Sequence, residues 1–143
     1  MTASLTQTPH STPTTTTRRR TGPLVRAGVA ATAAACLATT AIAAAGRAAG
    51  ISLDVAGAPI PLSGFATLTA MCCAVGLVIA AALARWARHP SRTFVRTAVT
   101  LTAISWLPDL LADAAWSTRA LLMLTHLAAA AIVIPAVTRR LPD

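Results

Sequence analysis

Residues 55–84 pass without a single charged side chain. As an α-helix, thirty residues reach roughly 45 Å at 1.5 Å per residue. That exceeds the roughly 30 Å hydrocarbon core of a bilayer. A second uncharged run covers residues 27–46, and a third, residues 120–138, holds only His126 as a titratable group. Runs this long cannot alternate between a core and a wet surface. The composition agrees: 55% of the 143 residues are hydrophobic, 11% are charged and the mean hydropathy is +0.66. An ordinary soluble domain carries about 25% charged residues. A small integral membrane protein is expected, located in the plasma membrane as a multi-pass chain. Intrinsic disorder is excluded for most of its length.

All 12 basic residues are Arg, the four acids are all Asp, and the net charge is +8. Nucleic-acid binders combine such an excess with a polar surface, which is missing here, so no nucleic-acid partner is expected. The positions of the charges divide the apolar sequence. Residues 1–23 are rich in Thr, Ser and Pro and contain Arg18-Arg19-Arg20; a disordered cytoplasmic tail is expected. The Arg cluster before an Ala-rich run is also reminiscent of a signal peptide. The run is about 20 residues, however, against a usual signal core of 7–15, and further apolar runs follow, so an uncleaved first span is expected.

The transmembrane domain is expected over residues 24–140, with spans near 24–46, 62–85, 92–112 and 119–138. The fold class is all-α: a four-helix transmembrane bundle with short connectors. Long, continuous, Ala-rich runs do not alternate as barrel strands do, so no strands are expected. Pro61 suits a helix start, Ser63 and Ser91 are candidate caps, and Pro90 breaks the chain between the second and third spans. Span one is the least hydrophobic, so burial against its neighbours is expected. Cys72, Gly76 and Ala80 form a small-residue face on span two. The GxxxG of Gly46 and Gly50 encloses Arg47 at a helix end and is weak as a dimer motif.

With four spans, ten arginines fall on one face: Arg18, Arg19, Arg20, Arg26, Arg85, Arg88, Arg92, Arg96, Arg139 and Arg140. Only Arg47 and Arg119 fall on the other. Cytoplasmic segments carry the basic excess, so both termini are expected in the cytoplasm. Arg85, Arg88, Arg92 and Arg96 ring the second connector. There they can hold anionic lipid headgroups as partners, at about 1 kcal/mol each. Trp86 and Trp116 suit the inner and outer interfaces.

Ionisable residues within a span are costly and point to function by default. Three form a candidate polar site: Asp109, Asp113 and His126. Asp109 and His126 lie near the same end of a short hairpin, where a carboxylate beside an imidazole can hold a proton or a ligand. In the plainer alternative Asp109 and Asp113 end a helix near the water, Asp113 pairs with Arg119, and His126 hydrogen-bonds a helix backbone. Cys36, Cys72 and Cys73 lie in apolar runs, with no disulfide framework and no nearby His or carboxylate for a metal. No metal or cofactor is expected. No catalytic motif is present, so no enzyme activity is expected.

The segments Ile60-Pro61-Leu62-Ser63-Gly64-Phe65, Leu83-Ala84-Arg85-Trp86-Ala87-Arg88, Arg92-Thr93-Phe94-Val95-Arg96-Thr97-Ala98, Thr125-His126-Leu127 and Ala131-Ile132-Val133-Ile134-Pro135-Ala136 carry a resemblance. Across residues 24–140 the chain resembles a family of small actinobacterial membrane proteins described only as a four-helix domain of unknown function. The resemblance implies four spans and a high-GC bacterial source, and no catalytic residue. Two functions stand open. One is a structural or accessory subunit acting through helix contacts, as a homo-oligomer or with a membrane partner. The other is a small transporter or a proton- or ligand-binding membrane protein using Asp109, Asp113 and His126.

Overall fold

The computed structural model describes residues 22–142. The expected tail lies outside the described residues, except for Gly22 and Pro23, which open the first helix. Four helices account for most of the chain: α1 (Gly22–Ala48), α2 (Leu62–Trp86), α3 (Pro90–Leu111) and α4 (Trp116–Thr138). Three of them, α1, α2 and α4, are long and apolar enough to cross a membrane. The 22-residue α3 is comparably long, but it also carries Arg92, Arg96 and Asp109, which lower its mean hydropathy.

The helices run up and down. Helix α1 packs against α2 and α4, and α3 packs against the same two from the opposite corner. Leu24, Ala80, Phe94 and Val137 meet in a buried cluster at one end. Ala43, Leu53, Phe65 and Leu121 meet at the other. Between these clusters α1 makes the closest contacts. Its buried residues are Leu24, Gly28, Ala31, Ala35, Thr39, Ala43 and Gly46, a seam with steps of three and four that keeps one helix face inward. The side chains on this seam are almost all small, so neighbouring helices approach closely. A Cβ at Gly28 would overlap the Leu77 side chain, and one at Gly46 would fall 2.8 Å from Leu121 Cδ1. Polar groups join the α1–α2 contact. The Thr39 and Thr69 hydroxyls lie 3.1 Å apart, and the Cys36 thiol donates to the Ala66 carbonyl at 3.4 Å.

The first connector departs from the helical expectation. Asp54–Val55 (β1) and Ala58–Pro59 (β2) pair antiparallel, with Val55 opposite Ala58. The two-residue turn between them has φ of 52° at Ala56 and 77° at Gly57. Two consecutive positive φ angles suit the right-handed twist of a tight hairpin. The sequence does not announce this hairpin, because Ala56-Gly57 lacks the usual Asn-Gly or Asp-Gly signature. Helix α1 stops just before it. The Ile51 N–H donates to the Gly46 carbonyl and the Gly50 N–H to the Arg47 carbonyl, with Gly50 at φ 83°. This is a Schellman stop, so Gly46 and Gly50 both serve the chain's own fold.

The expected caps are also corrected. The N-cap of α2 is Pro61, without a side-chain cap bond. The N-cap of α3 is His89, and Pro90 opens the helix, which takes Ser91 inside the first turn and buries it.

Candidate functional site

Asp109 sits in the last turn of α3, beyond Pro108, which the helix carries in its interior. His126 sits in the third turn of α4. The antiparallel packing of α3 on α4 brings them together: His126 Nδ1 lies 3.0 Å from Asp109 Oδ2. The same nitrogen lies 3.0 Å from the Leu122 carbonyl oxygen. A bare nitrogen lone pair would repel both acceptors, so Nδ1 carries the proton. The N–H is aligned on the Leu122 carbonyl. Asp109 Oδ2 is therefore in close electrostatic contact with the ring, yet buried without an aligned hydrogen bond. The Asp109 side chain is 13% exposed and that of His126 is 37% exposed. The pair thus sits at the edge of the packing. One turn before Asp109, the indole N–H of Trp106 is also buried without a hydrogen-bond partner. Trp106 was not among the residues singled out from the sequence. The available signal was its spacing of three from Asp109, which places both on one helix face.

Asp113 does not join the pair. Helix α3 ends at Leu111, and Ala112 turns extended at ψ 140°, so Asp113 leaves the face that Asp109 occupies. Its backbone carbonyl instead accepts the Ala56 N–H at 2.8 Å, pinning the hairpin tip to the α3–α4 connector. The hydroxyl of Thr118, wholly buried, donates to the Ser52 carbonyl and holds the hairpin base. Arg119 donates from Nε to the Ala114 carbonyl and from Nη1 to the Leu110 carbonyl, each at 3.0 Å. The Leu110 carbonyl lies at the C-terminal end of α3, where a cation is favourable, and the Ala114 carbonyl lies in the connector that follows. The ion pair between Arg119 and Asp113 does not form. The backbone bond of His126 does.

The opposite end is basic. Arg26, Arg85, Arg88, Arg92, Arg96, Arg139 and Arg140 are exposed there, and none forms an ion pair among the described residues. The connector between α2 and α3 is only residues 87–89, so the four arginines Arg85, Arg88, Arg92 and Arg96 crowd one tight bend. Among the described residues, no group of three or more His, Cys, Asp or Glu is placed to hold a metal ion. Cys36, Cys72 and Cys73 are all free.

A family of unknown function, DUF6069, matches residues 19–143. The chain belongs to this family. The DUF6069 match covers all four helices and the hairpin between the first two. No curated protein and no solved structure matches the chain.

Proposed function

We propose that this DUF6069 chain is a non-enzymatic, four-span protein of a high-GC bacterial plasma membrane, with both termini cytoplasmic, and that its Asp109–His126 pair binds a proton. The observation that carries the second half is the 3.0 Å contact between Asp109 and His126. An imidazole and a carboxylate this close can hold a proton between them. Polar groups at that depth are costly and are kept for function.

Several observations support the membrane placement. Large apolar side chains face outward around the molecule, among them Leu37, Leu68, Met71, Val78 and Leu111. A surface of that kind suits lipid and not water. Helix α3 takes part in the same depth range as its neighbours. Phe94 packs in the end cluster with Leu24 and Val137, and Asp109 meets α4 near the other end. Trp86 and Trp116 are exposed near opposite ends, as interfacial anchors are. The exposed arginines of the α2–α3 bend are then the contacts to anionic headgroups.

A structural or accessory role through helix contacts has less support. The Ala-rich α1 suggested it, but the small face of α1 is used against α2 and α4.

Two experiments test this. Reporter fusions after Ala56 and after Ser117 should read outside the membrane, and one after Pro90 inside. The reverse pattern overturns the placement. Separately, the full chain in lipid nanodiscs should show a pH-dependent change in Trp106 emission between pH 5 and 8, once Trp86 and Trp116 are replaced by Phe. Asp109→Asn and His126→Ala should each abolish it. An unchanged response in both variants, with normal folding, sinks the proton-binding pair.

A further inference from the structure

The connector between α1 and α2 folds back on itself and encloses a pocket of about 430 Å³. Backbone bonds pin its walls. The Ile51 N–H donates to the Gly46 carbonyl and the Ile60 N–H to the Leu53 carbonyl, each at 2.9 Å. Thr118 of α4 holds the Ser52 carbonyl. Leu53 is buried, and Ile51 and Ile60 pack against its cluster. Two opposite charges line this pocket: Arg47 from the last turn of α1 and Asp54 from β1. They do not neutralise each other, since among the described residues neither forms an ion pair. The Asp54 carboxylate accepts one hydroxyl, from Ser52 to Oδ2 at 3.0 Å. The Arg47 guanidinium has no hydrogen bond among the described residues. Ile51, Pro59, Ile60 and Pro61 make the rest of the lining mostly apolar.

A cation and an anion held apart in one pocket complement a zwitterion. Depth decides which kind. Helix α1 ends at Ala48 and α2 begins at Leu62. In the proposed placement the pocket therefore lies just beyond both spans, at headgroup level, as does the exposed Trp116. Toward the membrane centre, α1 and α2 expose Leu37, Leu68 and Met71. A phospholipid seated in the pocket can lay its acyl chains along them, whereas a water-soluble zwitterion gains nothing from them. We propose that this pocket holds the headgroup of a phospholipid carrying a primary ammonium, of the phosphatidylethanolamine kind, with its phosphate against Arg47 and its ammonium against Asp54. A guanidinium fork matches phosphate oxygens. A primary ammonium has three N–H donors to offer a carboxylate, and a choline has none. The α2–α3 bend differs, because its four arginines have no acid among them and select for net negative charge. At the pocket's end Arg47 and Arg119 are matched by Asp54 and Asp113, so net charge alone draws no anionic lipid there. The inference is independent of the Asp109–His126 pair and rests only on the proposed membrane placement.

The test is native mass spectrometry of the full chain in an uncharged detergent. Phosphatidylethanolamine, phosphatidylcholine or phosphatidylglycerol is titrated in, all with the same acyl chains, and bound lipid is counted. Phosphatidylethanolamine should bind about fivefold more tightly than phosphatidylcholine, as one exposed ion pair allows. Asp54→Asn should remove that preference and leave phosphatidylcholine binding unchanged. Arg47→Gln should weaken phosphatidylethanolamine binding by about the same factor. Phosphatidylglycerol held at the basic bend should respond to neither change. Equal binding of phosphatidylethanolamine and phosphatidylcholine to the parent chain overturns the proposal, and that comparison needs no variant. A preference that survives both substitutions overturns it too, because the lipid then sits elsewhere. Glycerophosphoethanolamine, the same headgroup without acyl chains, should fail to displace the lipid at equal concentration; displacement by it overturns the lipid as occupant. The reporter fusions read the membrane placement separately. If they hold while the ethanolamine preference is missing, this inference alone is lost.

Discussion

Glycines show at the residue scale how differently one side chain is used along the chain. Gly28 faces Leu77 so closely that a Cβ would overlap it, whereas Gly76 has open space around its missing Cβ. Overpacking a contact costs about 1–3 kcal/mol, while Ala in place of Gly favours a helix by about 1 kcal/mol. Gly28→Ala should therefore destabilise the chain by up to about 2 kcal/mol. Gly76→Ala should leave it unchanged or up to about 1 kcal/mol more stable. Thermal unfolding in detergent reads both. If Gly76→Ala is the more harmful change, the Cys72–Gly76 face is in contact with another chain. The small-residue spacing that marks Cys72, Gly76 and Ala80 in the sequence does not separate these cases. Ala80 is fully buried, whereas Cys72 is exposed. Which small residue meets a neighbour depends on where the neighbouring helix lies, and spacing along one helix carries no information about that.

At the element scale, the first connector differs most from its sequence. It forms a hairpin held at its tip by Asp113 and at its base by Thr118. The turn depends on Gly57, at φ 77°, where a β-branched residue is strained by about 1–3 kcal/mol. Gly57→Val should open the turn and free the Ala56 amide. Hydrogen exchange at Ala56 should then rise at least tenfold, while exchange within α2 and α4 stays as in the parent. Equal protection at Ala56 would show that the hairpin does not depend on that turn. The helices themselves were more legible. Their long uncharged runs and the Pro61 and Pro90 breaks place their ends within a few residues, because both signals are local. The seam of α1 was legible in part: its poverty in bulk announces close packing, and the seven inward positions bear that out. The polar pair was legible only as a possibility. Asp109 and His126 are ordinary when read singly, and the end of α3 at Leu111 decides that Asp109 joins His126 while Asp113 does not.

On the scale of the whole molecule, the up-and-down packing sorts charge between two ends. Seven exposed arginines gather at one, while Arg47, Asp54, Asp109, Asp113 and Arg119 lie toward the other. A juxtamembrane Arg near an anionic surface contributes about 1 kcal/mol. Replacing Arg85, Arg88, Arg92 and Arg96 with Gln should weaken association of the purified chain with anionic over neutral lipid by about 1 kcal/mol per site. The difference should shrink at high salt, because exposed charges are screened. Lipid-selective retention that ignores all four changes would mean the bend does not hold headgroups. The sequence by itself determined the apolar character, the number of long helices and the segregation of arginines, since each depends on which residues are neighbours along the chain. Only the tertiary structure decided that α1 turns its small face inward, that a hairpin closes one end, and that Asp109 meets His126. Those contacts join residues from separate helices, and their geometry is set by how the helices pack.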